Sequence, residues 1–222
     1  MEKYYECKIN IDYNPEITGI EKAEHLVAYY ARVSNPSNQL NKETAPKLLA
    51  FLIKHKHWSP FEMVDMAIEI KTSRAIAAQI LRHRSFNFQE FSQRYSEATD
   101  YEDVELRLQG SKNRQVGEDL LPKNHPEYNN LNGLIAETLS LSEHCYRTMI
   151  DNGIAKEVAR MVLPLTTQTT MYMKGSLRSW IHYIELRTQE NTQKEHRLIA
   201  DECKKIFINN FPVIAEALEW KN

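Results

Sequence analysis

The segment at 82–96 concentrates polar side chains that could hold a charged small molecule. It reads RHRSFNFQEFSQRYS, with three arginines, one histidine and one glutamate. The planar guanidinium of arginine offers a fork of donors that matches phosphate and carboxylate oxygens. Gln89 and Glu90 can accept hydrogen bonds from a sugar or a base. The segment therefore predicts a site for a polyanionic small molecule with polar edges, a description that a nucleotide fits.

Spacing around this segment indicates which side chains act together. Gln79 and Arg82 are three residues apart, so they share a face at the end of a helix predicted over about 73–83. Arg82 and Arg84 are two apart and point to different sides in either a helix or a strand. We expect these two arginines to serve two ligands, or two parts of one.

A second polar cluster lies on a helix predicted over about 175–187. Arg178 and His182 are four residues apart and therefore face the same way. On periodicity alone, a surface salt-bridge ladder that uses Glu185 and Arg187 is the favoured interpretation. The residues of this helix do not decide between that ladder and a ligand site.

Arg160 lies inside a strongly apolar segment, VARMVLP at 158–164. A guanidinium in such surroundings needs an anionic partner if it is buried. Arg160 is therefore a candidate for contact with an anion.

Other kinds of chemistry have weaker support. His55 and His57 have no carboxylate or cysteine nearby, which makes a weak metal signal, and we predict no metal site. Ser92 could act as a nucleophile beside His83, but neither a Gly-x-Ser-x-Gly elbow nor a spaced Asp–His pair supports a catalytic triad. The residues alone predict an anion-binding site and do not reveal a reaction.

The composition limits the class of protein. The chain has 222 residues, enough for one large domain, and we expect a single catalytic domain over 1–222. Hydrophobic residues make up 42% and charged residues 26%, as in ordinary globular proteins. A net charge of −2 argues against a general nucleic-acid binder, which would show a basic excess.

The cysteines and the hydropathy pattern bear on location. Cys7, Cys145 and Cys203 are odd in number and widely spaced, which favours reduced thiols in a reducing compartment. The first residues, MEKY, lack the apolar core of a signal peptide. No apolar run is long enough to span a bilayer. We expect a cytoplasmic protein without a membrane partner.

The patterning predicts an α+β fold, with long helices around a small, mostly antiparallel sheet. Strands are predicted at about 5–11 and 64–71, and helices at about 20–32, 43–54, 73–83, 134–152, 155–163, 175–187 and 193–209. Capping-box patterns occur at Ser59–Glu62 and Thr192–Glu195, the first of them opening only a brief turn. The polar segment at about 99–132 is expected to be a long excursion with little regular structure.

Several blocks of this sequence follow the order of those in a known family. RHR at 82–84, followed after seven residues by Ser92, resembles the signature of the flavin-dependent thymidylate synthases. ARVS at 31–34, HWSPFE at 57–62, EVARMVLP at 157–164 and the segment at 176–187 are similar to that family's other blocks. The resemblance covers most of the chain and implies the single-domain fold of that family.

The resemblance implies an activity, the synthesis of thymidylate (dTMP) from deoxyuridylate (dUMP) without a cysteine nucleophile. Methylenetetrahydrofolate would supply the carbon, and FAD reduced by NADPH would supply the hydride. It also implies a homotetramer with active sites shared between subunits. Because the redox step belongs to the flavin, the protein supplies position and charge. This agrees with the absence of a nucleophile or metal motif.

Roles for individual residues are also implied by the resemblance. Deoxyuridylate would be bound by Gln79, Arg82, Glu90, Ser92, Gln93 and Arg94, with Arg160 and Arg187 contributed by a different subunit. FAD would be contacted by Ser59, Arg82, His83, Arg84, Glu90, Ser176, Arg178 and His182. Arg187 is the family position that promotes ionisation of the uracil ring, as a fixed positive charge where the uracil anion develops.

The chain departs from the family pattern at a few positions. Many members have Ser and Asn where Asn87 and Gln89 stand, the position of Ser176 is often Asn, and that of His182 is Asn in some members. All of these residues are polar, so only fine contacts are affected. The segment at 99–132 is longer than in the shortest members, and we expect it to cover a polyanion with Arg107, Lys112, Asn113, Arg114 and Gln115.

Two other functions stay open on the sequence. A nucleotide-binding regulator without catalysis would need the phosphate-binding arginines but no flavin, so it would lack the flavin absorption near about 450 nm. A module that binds RNA or DNA through the arginine-rich run is disfavoured by the acidic balance. Strong, salt-dependent nucleic-acid binding would be required to support it.

Overall fold

The computed structural model describes residues 6–10, 22–97 and 100–220. Its strands are β1 (Glu6–Asn10), β2 (Asp65–Ser73), β3 (Asn87–Glu90), β4 (Arg107–Gln109), β5 (Gly117–Leu120) and β6 (Gln168–Ser176). Four of them form one sheet in the order β1-β2-β6-β3, and β4 pairs with β5 in a separate hairpin. Every pairing is antiparallel.

Eight α-helices surround the sheet in the described part of the chain. They are α1 (Ala23–Ala31), α2 (Ala45–Lys54), α3 (Arg74–Ile80), α4 (Tyr128–Asp151), α5 (Lys156–Ala159), α6 (Leu177–Arg187), α7 (Lys194–Asn210) and α8 (Pro212–Ala217). Short 3-10 turns lie at Pro36–Asn38, Ser59–Met63 and Arg160–Val162. The predicted α+β class with a small antiparallel sheet is confirmed.

Most predicted elements are present, with some differences. The prediction missed β3, β6 and α8, and the helix expected at 155–163 is divided into α5 and a 3-10 turn. Neither capping box forms, because Glu62 binds Ser176 and Arg178 while Glu195 binds Arg107. The ends of the strand predicted at 5–11 and the start of the helix predicted at 20–32 lie outside the described residues.

The register of the two central strands determines where the site helices begin. Ser73 of β2 lies opposite Gln168 of β6, and Asp65 lies opposite Ser176. Since α3 follows β2 and α6 follows β6, the two helices leave the sheet at opposite ends. The turn after α3 then reaches α6, where the Phe86 and Trp180 rings are 4.9 Å apart.

A single cluster of buried apolar side chains packs the sheet against the helices. Alternate residues of β2 and β6 are fully buried, among them Ile68, Ile70 and Met173, as expected for strands with one face on a core. Trp180 of α6 is also fully buried, and its indole nitrogen donates to the Met66 carbonyl over 2.8 Å. This packing fixes α6 relative to the sheet.

Helix α4 has few buried side chains. Of its residues only Tyr146 is buried. Exposed apolar side chains instead continue from α4 onto the residues after it, and we call this set the apolar surface: Leu131, Leu134, Leu141, Ile154, Val158, Met161, Val162 and Leu165. Ser142 donates to the Val162 carbonyl over 2.6 Å and so joins the two parts.

The predicted excursion contains more structure than expected. The β4–β5 hairpin lies within it, and α4 begins at Tyr128, inside the segment expected to lack regular structure. Ion pairs from Arg107 to Glu195 and from Lys194 to Glu105 tie the hairpin to the start of α7. No helix in the described ranges has the length and hydropathy that crossing a membrane requires.

Candidate active site

Arg187, the last residue of α6, is held by His83 in the turn after α3. Arg187 Nε donates to His83 Nε2 over 2.9 Å. A ring nitrogen that accepts carries no proton, so His83 is neutral with its proton on Nδ1. Burial, and next the charge of Arg187, lower the pKa of His83 to about 4. Arg187 forms no ion pair with a carboxylate in the described part of the chain, so its charge is uncompensated there.

A buried polar network lies behind this pair. The Tyr183 ring packs edge-on against the His83 ring, with centroids 4.9 Å apart. The Tyr183 hydroxyl is 3.1 Å from His196 Nε2, and His196 Nδ1 is 3.2 Å from Gln79 Oε1. Gln79 Nε2 donates to Gln193 Oε1 over 2.6 Å. Gln79, a predicted nucleotide ligand, is therefore part of the same cluster as Arg187.

An open pocket of about 540 Å³ borders the outer side of α6. Arg178 and His182 both line it, as their four-residue spacing predicts, together with Lys56, Trp58, Glu62, Ser85, Ser179, Ile181 and Glu185. Arg178 donates to Glu62 Oε1 over 2.6 Å, so it does not belong to a ladder along α6. The pocket combines two cations with an indole and an imidazole.

Ser176 supports this pocket from the end of β6. Its hydroxyl accepts from the backbone N–H of Ser179, which caps α6, and donates to Glu62 Oε2 over 2.5 Å. Burial acts to raise the pKa of Glu62, but the hydrogen bonds from Ser176 and Arg178 leave it lowered. Glu62 therefore stays ionised and orients Arg178.

The arginines on either side of His83 are open to solvent. Arg82 and Arg84 are both exposed, and neither has a hydrogen bond or ion pair to another side chain among the described residues. Ser59 is also exposed, next to Trp58 of the pocket wall. The two guanidiniums are free to bind an anion.

Glu90 is partly engaged within its own chain. Arg74 donates to Glu90 Oε1 over 2.6 Å, and the Thr169 hydroxyl donates to the same oxygen over 3.1 Å. Within the described ranges the other oxygen, Oε2, has no partner. Glu90 can therefore accept a ligand hydrogen bond on one oxygen while the other stays fixed.

The remaining predicted nucleotide ligands form a separate region. Ser92 and Arg94 line an open pocket of about 390 Å³ with Tyr95, Ala155, Lys156 and Glu157. Arg94 pairs loosely with Glu157 over 3.4 Å. Arg160 lies one turn beyond Glu157 and has no anionic partner among the described residues. Its Nε and the Nε2 of Gln93 are buried without a hydrogen-bond partner there.

Apart from the pocket beside α6, the structure thus divides the predicted nucleotide-binding residues into two regions within one chain. Gln79, His83 and Arg187 are brought together, and Ser92, Arg94 and Arg160 lie by α5. The resemblance assigned Arg187 to a different subunit from Gln79 and Arg82. In this structure Arg187 binds His83 of its own chain, so we group Arg187 with Gln79 and Arg82.

Sequence reasoning missed several residues of these regions. Glu62 was noted as part of a capping box and of the block at 57–62 but was given no role in the site, and Arg74, Tyr183 and His196 were not singled out. Gln79 and His196 are 117 positions apart, so no local spacing could reveal their contact. No group of three or more His, Cys, Asp or Glu side chains in the described ranges is arranged to hold a metal.

The chain is similar to known proteins along most of its length. The family model described as thymidylate synthase complementing protein matches residues 16–213. A protein of Paramecium bursaria Chlorella virus 1, named probable flavin-dependent thymidylate synthase, is 51% identical over 209 residues, covering 93% of this chain and 95% of its own. The flavin-dependent thymidylate synthase of Synechocystis sp. is 53% identical over 197 residues, covering 89% and 90%.

A solved structure has a similar fold. The crystal structure of the UMP/dUMP methylase PolB from Streptomyces cacaoi, bound with 5-Br dUMP, superposes with a TM-score of 0.79. It covers 96% of this chain and 95% of its own, at 23% sequence identity. The arrangement of helices around the small sheet is therefore common to both proteins.

Proposed function

The chain belongs to the family of flavin-dependent thymidylate synthases, and we propose that it converts deoxyuridylate to thymidylate with methylenetetrahydrofolate as the carbon donor. The chemistry supplied by bound FAD is hydride transfer, with NADPH as the reductant. We propose that no cysteine acts as a nucleophile. Of the two cysteines whose side chains the structure describes, Cys203 lies in the apolar core and Cys145 lines neither of the pockets described above. The protein's own contribution is to bind, orient and place charge.

The observation that carries this proposal is the way in which Arg187 is held. Its partner is a neutral imidazole, which fixes the guanidinium without offsetting its charge. A preorganised cation stabilises negative charge that develops on a bound uracil ring, and it needs no rearrangement during the reaction. A carboxylate in the place of His83 would cancel much of that effect.

The pocket beside α6 fits a flavin dinucleotide. Lys56 and Arg178 can offset the diphosphate, and Trp58 offers a flat apolar wall. We assign the FAD contacts to the residues that line or flank this pocket and the His83 turn: Ser59, Arg82, His83, Arg84, Ser176, Arg178 and His182. To these we add Glu90, at the end of β3, through its second oxygen. Glu62 holds Arg178 in place for this contact.

We assign the nucleotide site to two protomers. One contributes Gln79, Arg82 and Arg187, and its neighbour contributes Glu90, Ser92, Gln93, Arg94 and Arg160. The support is the position of Ser92, Arg94 and Arg160 by α5, apart from the Gln79–Arg187 cluster, together with the missing anionic partner of Arg160 among the described residues. A bound phosphate would supply that partner.

We also propose a cytoplasmic homotetramer built from one catalytic domain per chain, covering 1–222. The apolar surface supports assembly, since exposed apolar patches of this kind on a soluble protein mark interaction sites. Met161, Val162 and Leu165 of this surface follow Arg160, and Ile154 and Val158 lie just before and within α5, so a neighbour seated on it would approach the second region of the nucleotide site. We expect no nucleic-acid or membrane partner.

The proposal is tested by assaying the purified protein with deoxyuridylate, methylenetetrahydrofolate and NADPH. We expect thymidylate to form and the protein to carry flavin. The Arg187→Ala variant should lose at least about 100-fold in turnover, the scale of losing one preorganised donor. Arg147→Ala is the matched control, because Arg147 is an exposed arginine paired with Glu143 on α4, and it should keep wild-type turnover.

A wild-type protein that forms no thymidylate and carries no flavin would contradict the function. Near-normal turnover of Arg187→Ala would contradict the role of that side chain.

A further inference from the structure

His196 is fully buried in α7, and neither the sequence nor the family resemblance gives it a role. It is 0% exposed. Both of its ring nitrogens face polar side chains: Nε2 lies 3.1 Å from the Tyr183 hydroxyl and Nδ1 lies 3.2 Å from Gln79 Oε1. A buried histidine with both nitrogens engaged fixes the groups on either side of it.

The direction of each hydrogen bond in this network follows from one carboxylate. Glu195 pairs with Arg107 and can only accept, so the group 3.0 Å from its Oε2 is the amide nitrogen of Gln193. The carbonyl of Gln193 then accepts from Gln79 Nε2. This turns the carbonyl of Gln79 towards His196. The orientation of the Gln79 amide is therefore determined by the network.

The tautomer of His196 follows from the same chain of bonds. Because Gln79 Oε1 can only accept a hydrogen bond, His196 carries its proton on Nδ1, and its Nε2 is unprotonated. The Tyr183 hydroxyl must then donate to Nε2. Burial, followed by the charges of Arg187 and His83, lowers the pKa of His196 to about 3, which agrees with a neutral ring.

The two hydrogen bonds of the His196 ring lead to two predicted ligands of the nucleotide. On one side, His196 holds the amide of Gln79, whose second N–H is left for an oxygen of the bound nucleotide. On the other side, it holds Tyr183, whose ring packs at 4.9 Å against the His83 ring that binds Arg187. A single buried ring thus connects Gln79 and Arg187.

We propose that His196 is a positioning residue for nucleotide binding, which presents Gln79 as a donor and supports the His83–Arg187 pair through Tyr183. This inference rests on the proposed function. It does not require His196 to touch a ligand or to exchange a proton.

The first test is Tyr183→Phe, which keeps the ring against His83 and removes only the hydroxyl that donates to His196. We expect the dissociation constant for deoxyuridylate, measured by titration calorimetry on the flavin-loaded protein, to rise roughly tenfold, because His196 and Gln79 lose their fixed orientation and must be ordered again on binding. The visible flavin absorbance should be unchanged. Tyr146→Phe is the matched control, because Tyr146 is also buried but its hydroxyl has no partner among the described residues.

The second test compares two substitutions of His196. Asn can place an amide donor near the position of Nδ1 and so keep the hydrogen bond to Gln79, whereas Leu removes the hydrogen bonds to both Gln79 and Tyr183. We expect His196→Asn to weaken deoxyuridylate binding less than His196→Leu. Adding Tyr183→Phe to His196→Leu should weaken binding no further, since the two side chains act as one unit.

The outcomes separate this inference from the function it rests on. Wild-type protein that does not bind deoxyuridylate would overturn the proposed function and this inference with it. Wild-type binding together with unchanged dissociation constants in Tyr183→Phe and His196→Leu, even at a lower melting temperature, would overturn this inference alone. If His196→Leu does not fold, Tyr183→Phe decides.

Discussion

The positive charge of Arg187 is not offset by its hydrogen-bond partner, because an imidazole nitrogen that accepts a hydrogen bond carries no proton and the ring is neutral. The hydrogen bond from Arg187 requires an unprotonated Nε2 on His83. Burial lowers the pKa of this ring to about 4, so the ring is neutral at neutral pH. Arg178 is held differently, by the carboxylate of Glu62. A guanidinium that is to stabilise a developing anion needs the first arrangement, whereas one that only contacts a bound diphosphate tolerates the second.

The two buried imidazoles predict that stability falls as the pH is lowered from neutrality. In the folded chain the pKa values of His83 and His196 are about 4 and about 3, against 6.5 for an unperturbed histidine. The unfolded chain therefore takes up these protons first. The stabilisation is fully present above about pH 6.5 and is lost progressively as the pH falls from there to about 4 for His83 and to about 3 for His196. Denaturant unfolding at a series of pH values should show this loss.

The His196→Leu variant should show a shallower loss of stability over the same pH range, since one of the two buried imidazoles is gone. His144→Leu removes an exposed histidine of α4 and should keep the wild-type slope. Equal slopes for wild type and His196→Leu would show that this ring does not carry the dependence.

Strand β6 and the turn after α3 fit together closely at one glycine. A Cβ atom added to Gly175 would lie 2.5 Å from a ring carbon of Phe86, which is too close for a real contact. Phe86 packs in turn on Trp180 and Tyr183 of α6. The small residue at 175 thus lets the turn that carries His83 approach the sheet.

We predict that Gly175→Ala destabilises the protein by about 1–3 kcal/mol, the usual cost of overpacking a core. Gly133→Ala is the matched control, since nothing lies within 4 Å of a Cβ at that helical position of α4. Loss of a glycine inside a helix should stabilise by roughly 0.5–1 kcal/mol. Both changes are measured by denaturant unfolding, and a neutral Gly175→Ala would contradict the close fit.

The β4–β5 hairpin changes what can be expected of the polar excursion. Arg107 was expected to cover a polyanion, but its guanidinium is already paired with Glu105 and Glu195. Arg114 lies in the exposed turn of the hairpin and has no ion pair among the described residues. The cover hypothesis therefore depends on Arg114 and its neighbours.

We expect Arg114→Ala to raise the Michaelis constant for at least one substrate by roughly 2–5-fold, because an exposed ion pair contributes less than about 1 kcal/mol. Steady-state kinetics with each substrate varied in turn measures this, and Arg147→Ala serves again as the control. Unchanged Michaelis constants for every substrate would reject a covering role.

The prediction from sequence was most successful where chemistry and periodicity are local. Arg178 and His182 share a pocket because four residues make about one helical turn, and β2 was recognised by its alternation. β6 carries a similar alternation of buried and exposed residues, Thr169 and Met171 with Tyr172, and was overlooked. The capping boxes were wrong because distant partners, Ser176 and Arg107, bind the glutamates more strongly than their own backbone does. The role of His196 depends on long-range contacts, which no local pattern contains.

At the scale of the whole molecule, the residues of the apolar surface are exposed to solvent in a single chain. Leu141 is 69% exposed and Met161 is 80% exposed. A charge placed in a buried interface is costly unless it is paired. We therefore predict that Leu141→Glu and Met161→Glu lower the assembled mass, which for the proposed homotetramer is four times that of one chain. Light scattering during size-exclusion chromatography measures this.

Leu40→Glu provides the control for these two variants. Leu40 is 62% exposed but lies on the loop between α1 and α2, away in sequence from the apolar surface. It should assemble as the wild type does. Full assembly of Leu141→Glu and Met161→Glu would place the interface elsewhere.

The most direct measurement of a site built from two protomers is complementation between inactive variants. We predict that Arg187→Ala and Arg160→Ala, each inactive alone, regain activity when dissociated together and reassembled. In randomly mixed assemblies about a quarter of the sites receive both arginines, so about a quarter of the wild-type activity should return. Mixing Arg187→Ala with Gln79→Ala should restore nothing, because both residues come from the same protomer. No recovery from Arg187→Ala with Arg160→Ala, despite mixed assembly, would contradict a shared site.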